Sequence, residues 1–194
     1  MDSNISKIQA SEGPLALMRP CVDKKRAVRL GSLLFGLRIS DSSHVKEFVS
    51  YDDQNFYLRG ALPDHSNKHD SGEPQEKESE FVLKILNHAD SENISYVNAQ
   101  NEIMLHLNKH GFACPVPAKS LDGEYTVECE LKSSETEGDK GKTDEQETPL
   151  RVYAVRLLSF VPGKLVKDVQ CTPDLLFDLG SYVAKMNKAL QVSF

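Results

Sequence analysis

Ser50-Tyr51-Asp52-Asp53-Gln54-Asn55-Phe56 and, further on, Phe81-Val82-Leu83-Lys84-Ile85-Leu86 decide how this chain is read. The first run is a polar turn, rich in amides and carboxylates, between two strand-like segments. The second is an apolar strand carrying one lysine. Phe81, Leu83 and Ile85 alternate against Val82, Lys84 and Leu86, which is the period of a strand. A lysine on such a strand is costly unless its ammonium meets an anion.

Outward from this pair the elements follow in order. Asp23 to Phe35 reads as a helix, with Ala27, Val28, Leu30, Leu34 and Phe35 near one face and Gly36 as its stop. Val45–Ser50 and Asn55–Leu62 are strand candidates, most simply a hairpin across the turn 51–54. Glu80–Leu86 is the lysine strand. Ser95–Lys109 is a helix with Val97, Ile103, Met104 and Leu107 on its apolar face and Gly111 beyond its end. Cys114-Pro115-Val116-Pro117 is extended, because a residue before proline avoids the helical region. Tyr125–Leu131 and Val152–Leu158 are two more strands. Ser159 to Gly163 breaks the last of them, and Thr172-Pro173 opens a helix over 173–190 with a cap and a proline at its first position. Leu175, Leu176, Leu179, Val183, Met186 and Leu190 recur along that helix at helical spacing, so it needs an apolar partner.

The bulk numbers suit a soluble globular protein with some disorder. The chain has 194 residues, 39% hydrophobic and 27% charged, and no apolar run of membrane-spanning length. Met1 to Pro20 has neither a basic nor an apolar segment of a secretory signal. Cys21, Cys114, Cys129 and Cys171 lack metal-type spacing and fit a reducing compartment, so a cytoplasmic location is expected. The net charge of −6 sits in two polar segments, 63–79 at −3 and 133–148 at −4, which leaves the folded body near +1. Neither nucleic acid nor a membrane is an expected partner.

Five strands with one helix between the third and fourth is the small-lobe order of kinase-like phosphotransferases. The expected fold is therefore α+β, a protein-kinase-like small lobe with a five-stranded antiparallel sheet and one packed helix, followed by the first helix of a truncated large lobe. The expected divisions are a disordered N-terminus (1–22), the small lobe (23–158) with acidic insertions at 63–79 and 133–148, a hinge or linker (159–171) and the large-lobe helix (172–194).

The Ser50–Phe56 run, the Val-Leu-Lys-Ile strand, Gln100-Asn101, the run from Val155 to Gly163 and the helix from Leu176 to Gln191 resemble the aminoglycoside-phosphotransferase-like family, in particular its hydroxylysine kinase branch. The resemblance covers about residues 23–192 apart from the two insertions. It implies transfer of phosphate from GTP (or ATP), with magnesium, to the hydroxyl of 5-hydroxylysine in the cytosol. It also implies that Lys84 pairs with nucleotide phosphates, as a compact ammonium can. Glu102, the one acid of the helix 95–109, is the candidate to fix Lys84, with Asn98 as an alternative in that slot. Gln54 and Asn55 are the candidate donors of the turn. Asp52 and Asp53 would repel phosphate, so they are expected to point away or to cap the turn. Leu158, Ser159 and Phe160 are the candidate hinge, offering backbone N–H and C=O groups to a purine edge.

The reacting half of such a site is not spelled in these residues. A kinase of this kind needs an H-x-D-x-x-x-x-N loop and a later metal-binding aspartate. His88-Ala89-Asp90 has the first spacing, but Ser95 stands where the asparagine belongs. Asp178-Leu179-Gly180 lies inside a periodic helix, and Gly31 to Gly36 continues Leu37-Arg38, not Lys-Ser/Thr. No catalytic or metal-binding residue is assigned. The expectation is a truncated isoform or partial gene product that holds nucleotide but is inactive alone, with 5-hydroxylysine a partner only of a complete homologue. Two other readings stay open: a non-catalytic nucleotide-binding, regulatory or interaction module that self-associates through the helix 173–190, and a relative acting on choline, homoserine or an aminoglycoside.

Overall fold

A strand of alternating residues can bury only one set of them against a given layer; two of the five strands here bury every second side chain along most of their length, and a third is buried on both faces. The structure, a computed structural model, describes residues 19–63, 77–132 and 150–191. Helix α1 (Lys24–Phe35) is capped by Asp23, whose carboxylate accepts from the Arg26 N–H, and ends at Gly36 with a φ of 67°. The strands are β1 (Lys46–Phe48), β2 (Gln54–Gly60), β3 (Ser79–Ile85), β4 (Val127–Lys132) and β5 (Leu150–Ser159). Between β3 and β4 lie α2 (His88–Ser91) and α3 (Ile94–Lys109), and α4 (Pro173–Gln191) follows β5 after a linker.

The strands form one antiparallel sheet in the order β1-β2-β3-β5-β4. One face is the main core: Phe56, Leu58, Leu83, Ile85, Tyr153, Val155 and Leu157 pack with Ala27, Leu30, Phe35 and Leu37. On the other face Val97 of α3 packs with Leu86 and Ala154. At the end of β2 the chain pairs Ala61 with Arg38, so closely that a Cβ on Gly60 would lie 2.3 Å from the Arg38 carbonyl oxygen.

The observed order of helix, three strands, helix, two strands, linker and helix is the expected one, and the α+β small-lobe class holds. Two details differ. The first strand shrinks to Lys46–Phe48. A short helix, α2, stands directly after β3 because the Asn87 side chain caps it, accepting from the Asp90 N–H at 2.9 Å. Residues 1–18, most of the first acidic insertion (64–76) and all of the second (133–148) lie outside the described residues.

Candidate nucleotide site

The face of the sheet that carries α3 also carries Lys84. Val82 and Lys84 point there because their neighbours Phe81, Leu83 and Ile85 fill the opposite core. The register extends the row: Asn55 lies opposite Lys84 on β2, and Arg156 lies opposite it on β5. Tyr57 and Leu158 flank Val82 in the same way. A cavity of about 320 Å³ opens along this row, lined by Phe48, Asn55, Val82, Pro115 and residues 158–161. Phe48 and Phe160 stack with ring centroids 6.2 Å apart, and Tyr57 meets Phe160 edge-on at 5.3 Å. Apolar walls around a few polar groups are the usual make-up of a site for a planar ligand.

The Lys84 ammonium is mostly buried and donates to a carboxylate oxygen of Asp53. The other Asp53 oxygen accepts from the Asn87 N–H at 2.8 Å and from the Asn87 side-chain amide at 3.2 Å. Asp53 therefore ties the 51–53 turn to the end of β3. For Asp53 this corrects the expectation that the turn's acids point away or cap the turn: a half-buried ammonium needs an anion, and Asp53 supplies it.

Two further expectations are corrected. Glu102 is exposed on α3 and does not reach Lys84. Asn101, one position earlier, is the buried residue, and one step along a helix turns a side chain by about 100°. Gln54 begins β2 opposite Ile85, on the core face. Its amide accepts from the Val22 N–H at 2.8 Å and donates to the Val22 carbonyl and to Glu47 at 3.2 and 3.0 Å. Asn55 does face the cavity, and its Oδ1 is buried without a partner.

Leu158, Ser159 and Phe160 all line the cavity, but the backbone donors of the last two are taken. The Ser159 N–H bonds the Val116 carbonyl at 2.8 Å, and the Phe160 N–H bonds the Glu80 carbonyl at 2.9 Å. Of the expected hinge contacts, those made through these two N–H groups are thus already satisfied inside the protein. Among the described residues, no cluster of three or more His, Cys, Asp or Glu could hold a metal ion. Asp90 belongs to α2, where it bonds Asn87, and Asp178 lies in α4.

Sequence reasoning missed Arg156. Its guanidinium is only 3% exposed and donates to the Asn101 and Gln100 side-chain carbonyls, each at 3.1 Å. Burial pulls its pKa below the usual arginine value, and the charges of Asp53 and Asp90 oppose that shift. The signal was present: Arg156 breaks an apolar run at even spacing from Leu158, as Lys84 does from Val82.

These features define the class. The fold is the kinase small lobe of the aminoglycoside-phosphotransferase type. One solved structure it resembles, the amicoumacin kinase hAmiN in complex with AMP-PNP, Ca2+ and Ami, superposes with a TM-score of 0.55 at 15% identity, over 87% of this chain and 40% of that one. In sequence the chain is similar to hydroxylysine kinases. It is 31% identical to that of Xenopus laevis over 176 residues, 31% to that of Danio rerio over 172 and 30% to that of Bos taurus over 180. These alignments cover 91%, 89% and 91% of this chain. The chain spans 40% of the length of each of these relatives. No family model matches it.

Proposed function

We propose that this chain is the nucleotide-holding part of a hydroxylysine-kinase-type phosphotransferase. Residues 23–158 form the nucleotide lobe, 159–171 the hinge or linker, and 172–194 the first helix of a second lobe. A purine lies in the cavity between Val82 and the 158–161 segment, and its phosphates run toward Lys84 under the Asp53 turn. The donor is GTP, with ATP the alternative, and the acceptor in the whole protein is the side-chain hydroxyl of 5-hydroxylysine. The protein works in the cytosol, where its four cysteines, all free, would stay reduced.

The observation that carries this reading is one row of side chains joining the cavity to a half-buried ammonium: Leu158, Val82, Asn55 and Lys84 share one face of the sheet. A nucleotide needs both parts, a flat apolar slot and a cation one sugar away. The similarity to hydroxylysine kinases supports the acceptor class. Magnesium would accompany the nucleotide phosphates.

The 194-residue chain alone binds nucleotide and does not transfer phosphate, because it contains no H-x-D-x-x-x-x-N loop. Titration with GTP and ATP should show saturable binding, weakened about tenfold to a hundredfold in Lys84→Ala, as expected for losing a charge-assisted contact. Absence of binding to either nucleotide would refute the reading. Turnover of GTP with hydroxylysine, abolished by Lys84→Ala, would overturn the claim of inactivity.

A second reading, an interaction module, is favoured by one observation. No residue of α4 is buried, and Leu176, Phe177 and Leu179 lie open along it.

A further inference from the structure

We propose that Arg156 is a positioning residue that supplies a second positive charge behind the phosphate site while its hydrogen bonds hold α3 to the sheet. This rests on the nucleotide reading above and deepens it.

A guanidinium this buried ordinarily meets a carboxylate, because an unpaired buried charge is costly. Arg156 meets two amides instead. Its Nη atoms donate to Asn101 and Gln100, and its Nε is buried without a partner. Among the described residues no carboxylate hydrogen-bonds it. Asn101 is fixed in turn by donating to the Thr126 hydroxyl at 2.8 Å. The guanidinium is therefore held firmly in place, yet its charge is not cancelled at contact.

The register puts that charge beside Lys84. The two residues are Cα partners on β3 and β5, and their side chains leave the sheet on the same face. Like charges directly opposite each other on a sheet repel. One carboxylate, that of Asp53, is bonded to Lys84, and the other whose field reaches Arg156, that of Asp90, is bonded to Asn87. Neither carboxylate touches the guanidinium, and a polyphosphate arriving at Lys84 adds negative charge within reach of both cations. Neutral amides on α3 suit that arrangement, since a carboxylate at Asn101 or Gln100 would neutralise the guanidinium and remove its field from the phosphates.

The link between helix and sheet thus differs from a lysine–glutamate pair. Arg156 and the α3 amides fasten α3, and Lys84 is left to the turn and the ligand.

The test compares GTP with guanosine, so that the contribution of the phosphates is read as a ratio of affinities on the same folded protein. Asn101→Asp keeps an acceptor 3.1 Å from Nη1 but cancels the charge. It should lower the GTP-to-guanosine ratio of the folded protein about tenfold. Arg156→Met should lower the ratio likewise, and Arg156→Lys, which keeps the charge, should restore most of it. Should Arg156→Met fail to fold, Asn101→Asp and Arg156→Lys decide the matter. An unchanged ratio in Asn101→Asp, with GTP binding still sensitive to Lys84→Ala, would overturn the role of Arg156 and leave the nucleotide reading standing. No GTP binding by the unaltered chain would overturn both.

Discussion

Asp53 shows how one side chain can be legible in type and misread in direction. A carboxylate beside a phosphate site is repelled by phosphate, so the sequence argues for turning it away. The half-buried ammonium of Lys84 is the stronger consideration, and Asp53 bonds it while bracing Asn87. Lys84 itself was readable because a lone cation in an apolar strand has few explanations. Arg156 was equally out of place in its strand, but its amide partners come from α3, a contact that no local pattern reveals. If Asp53 competes with phosphate for Lys84, then Asp53→Asn should bind GTP more tightly, by about tenfold in magnesium-free buffer, since removing a like charge near the ligand is worth roughly 1–2 kcal/mol at partial burial. Isothermal titration of the two proteins measures this. Equal or weaker binding by the variant would mean that Asp53 serves to position Lys84 and does not compete.

At the level of elements, alternation carried most of the reading. β2 and β3 each show one buried set and one polar or cavity-facing set, β5 is buried on both faces from Tyr153 to Leu158, and the three expected helices stand within one or two residues of their expected limits. The α2 turn escaped notice because four residues show no period, and only the Asn87 cap marks it. Gln54 was misassigned by a single register step. A neighbour of Asn55 must face the other way, and that way lies the α1 core. Its amide ties β2 to Val22, just ahead of α1, through two hydrogen bonds at 7% exposure. Gln54→Ala leaves the Val22 N–H without its partner, a loss of about 1–3 kcal/mol. Thermal melting should fall by about 2–10 °C for a chain of this size. GTP affinity of the folded variant should stay within about twofold, because the side chain does not face the cavity. A large loss of affinity at unchanged melting temperature would return Gln54 to the binding site.

Across the whole molecule the apolar surface is unevenly covered. The sheet is filled on its α1 face and partly covered by α3 on the other, while the linker and α4 expose Leu165, Val166, Leu176, Phe177 and Leu179. Where α4 is held, the contacts are few and polar or aromatic: His106 with the Ala189 carbonyl at 3.1 Å, the Tyr182 hydroxyl with the Ala113 carbonyl at 3.3 Å, and Phe112 edge-on to Tyr182. Phe177, at 75% exposure, has no such cover. The apolar period of this helix was plain in the sequence, but what faces it was not, because period tells which side is apolar and nothing of what lies against it. Taken alone in solution, the 194-residue chain should therefore pair through α4, a patch of this kind being rare on a stable monomer. Light scattering behind size exclusion should show a mass rising with concentration. Leu176→Glu together with Phe177→Glu should restore a monomer while leaving GTP affinity unchanged, since α4 does not line the nucleotide cavity. A monomer at every concentration for the unaltered chain would show that the exposed stripe does not bring two copies together.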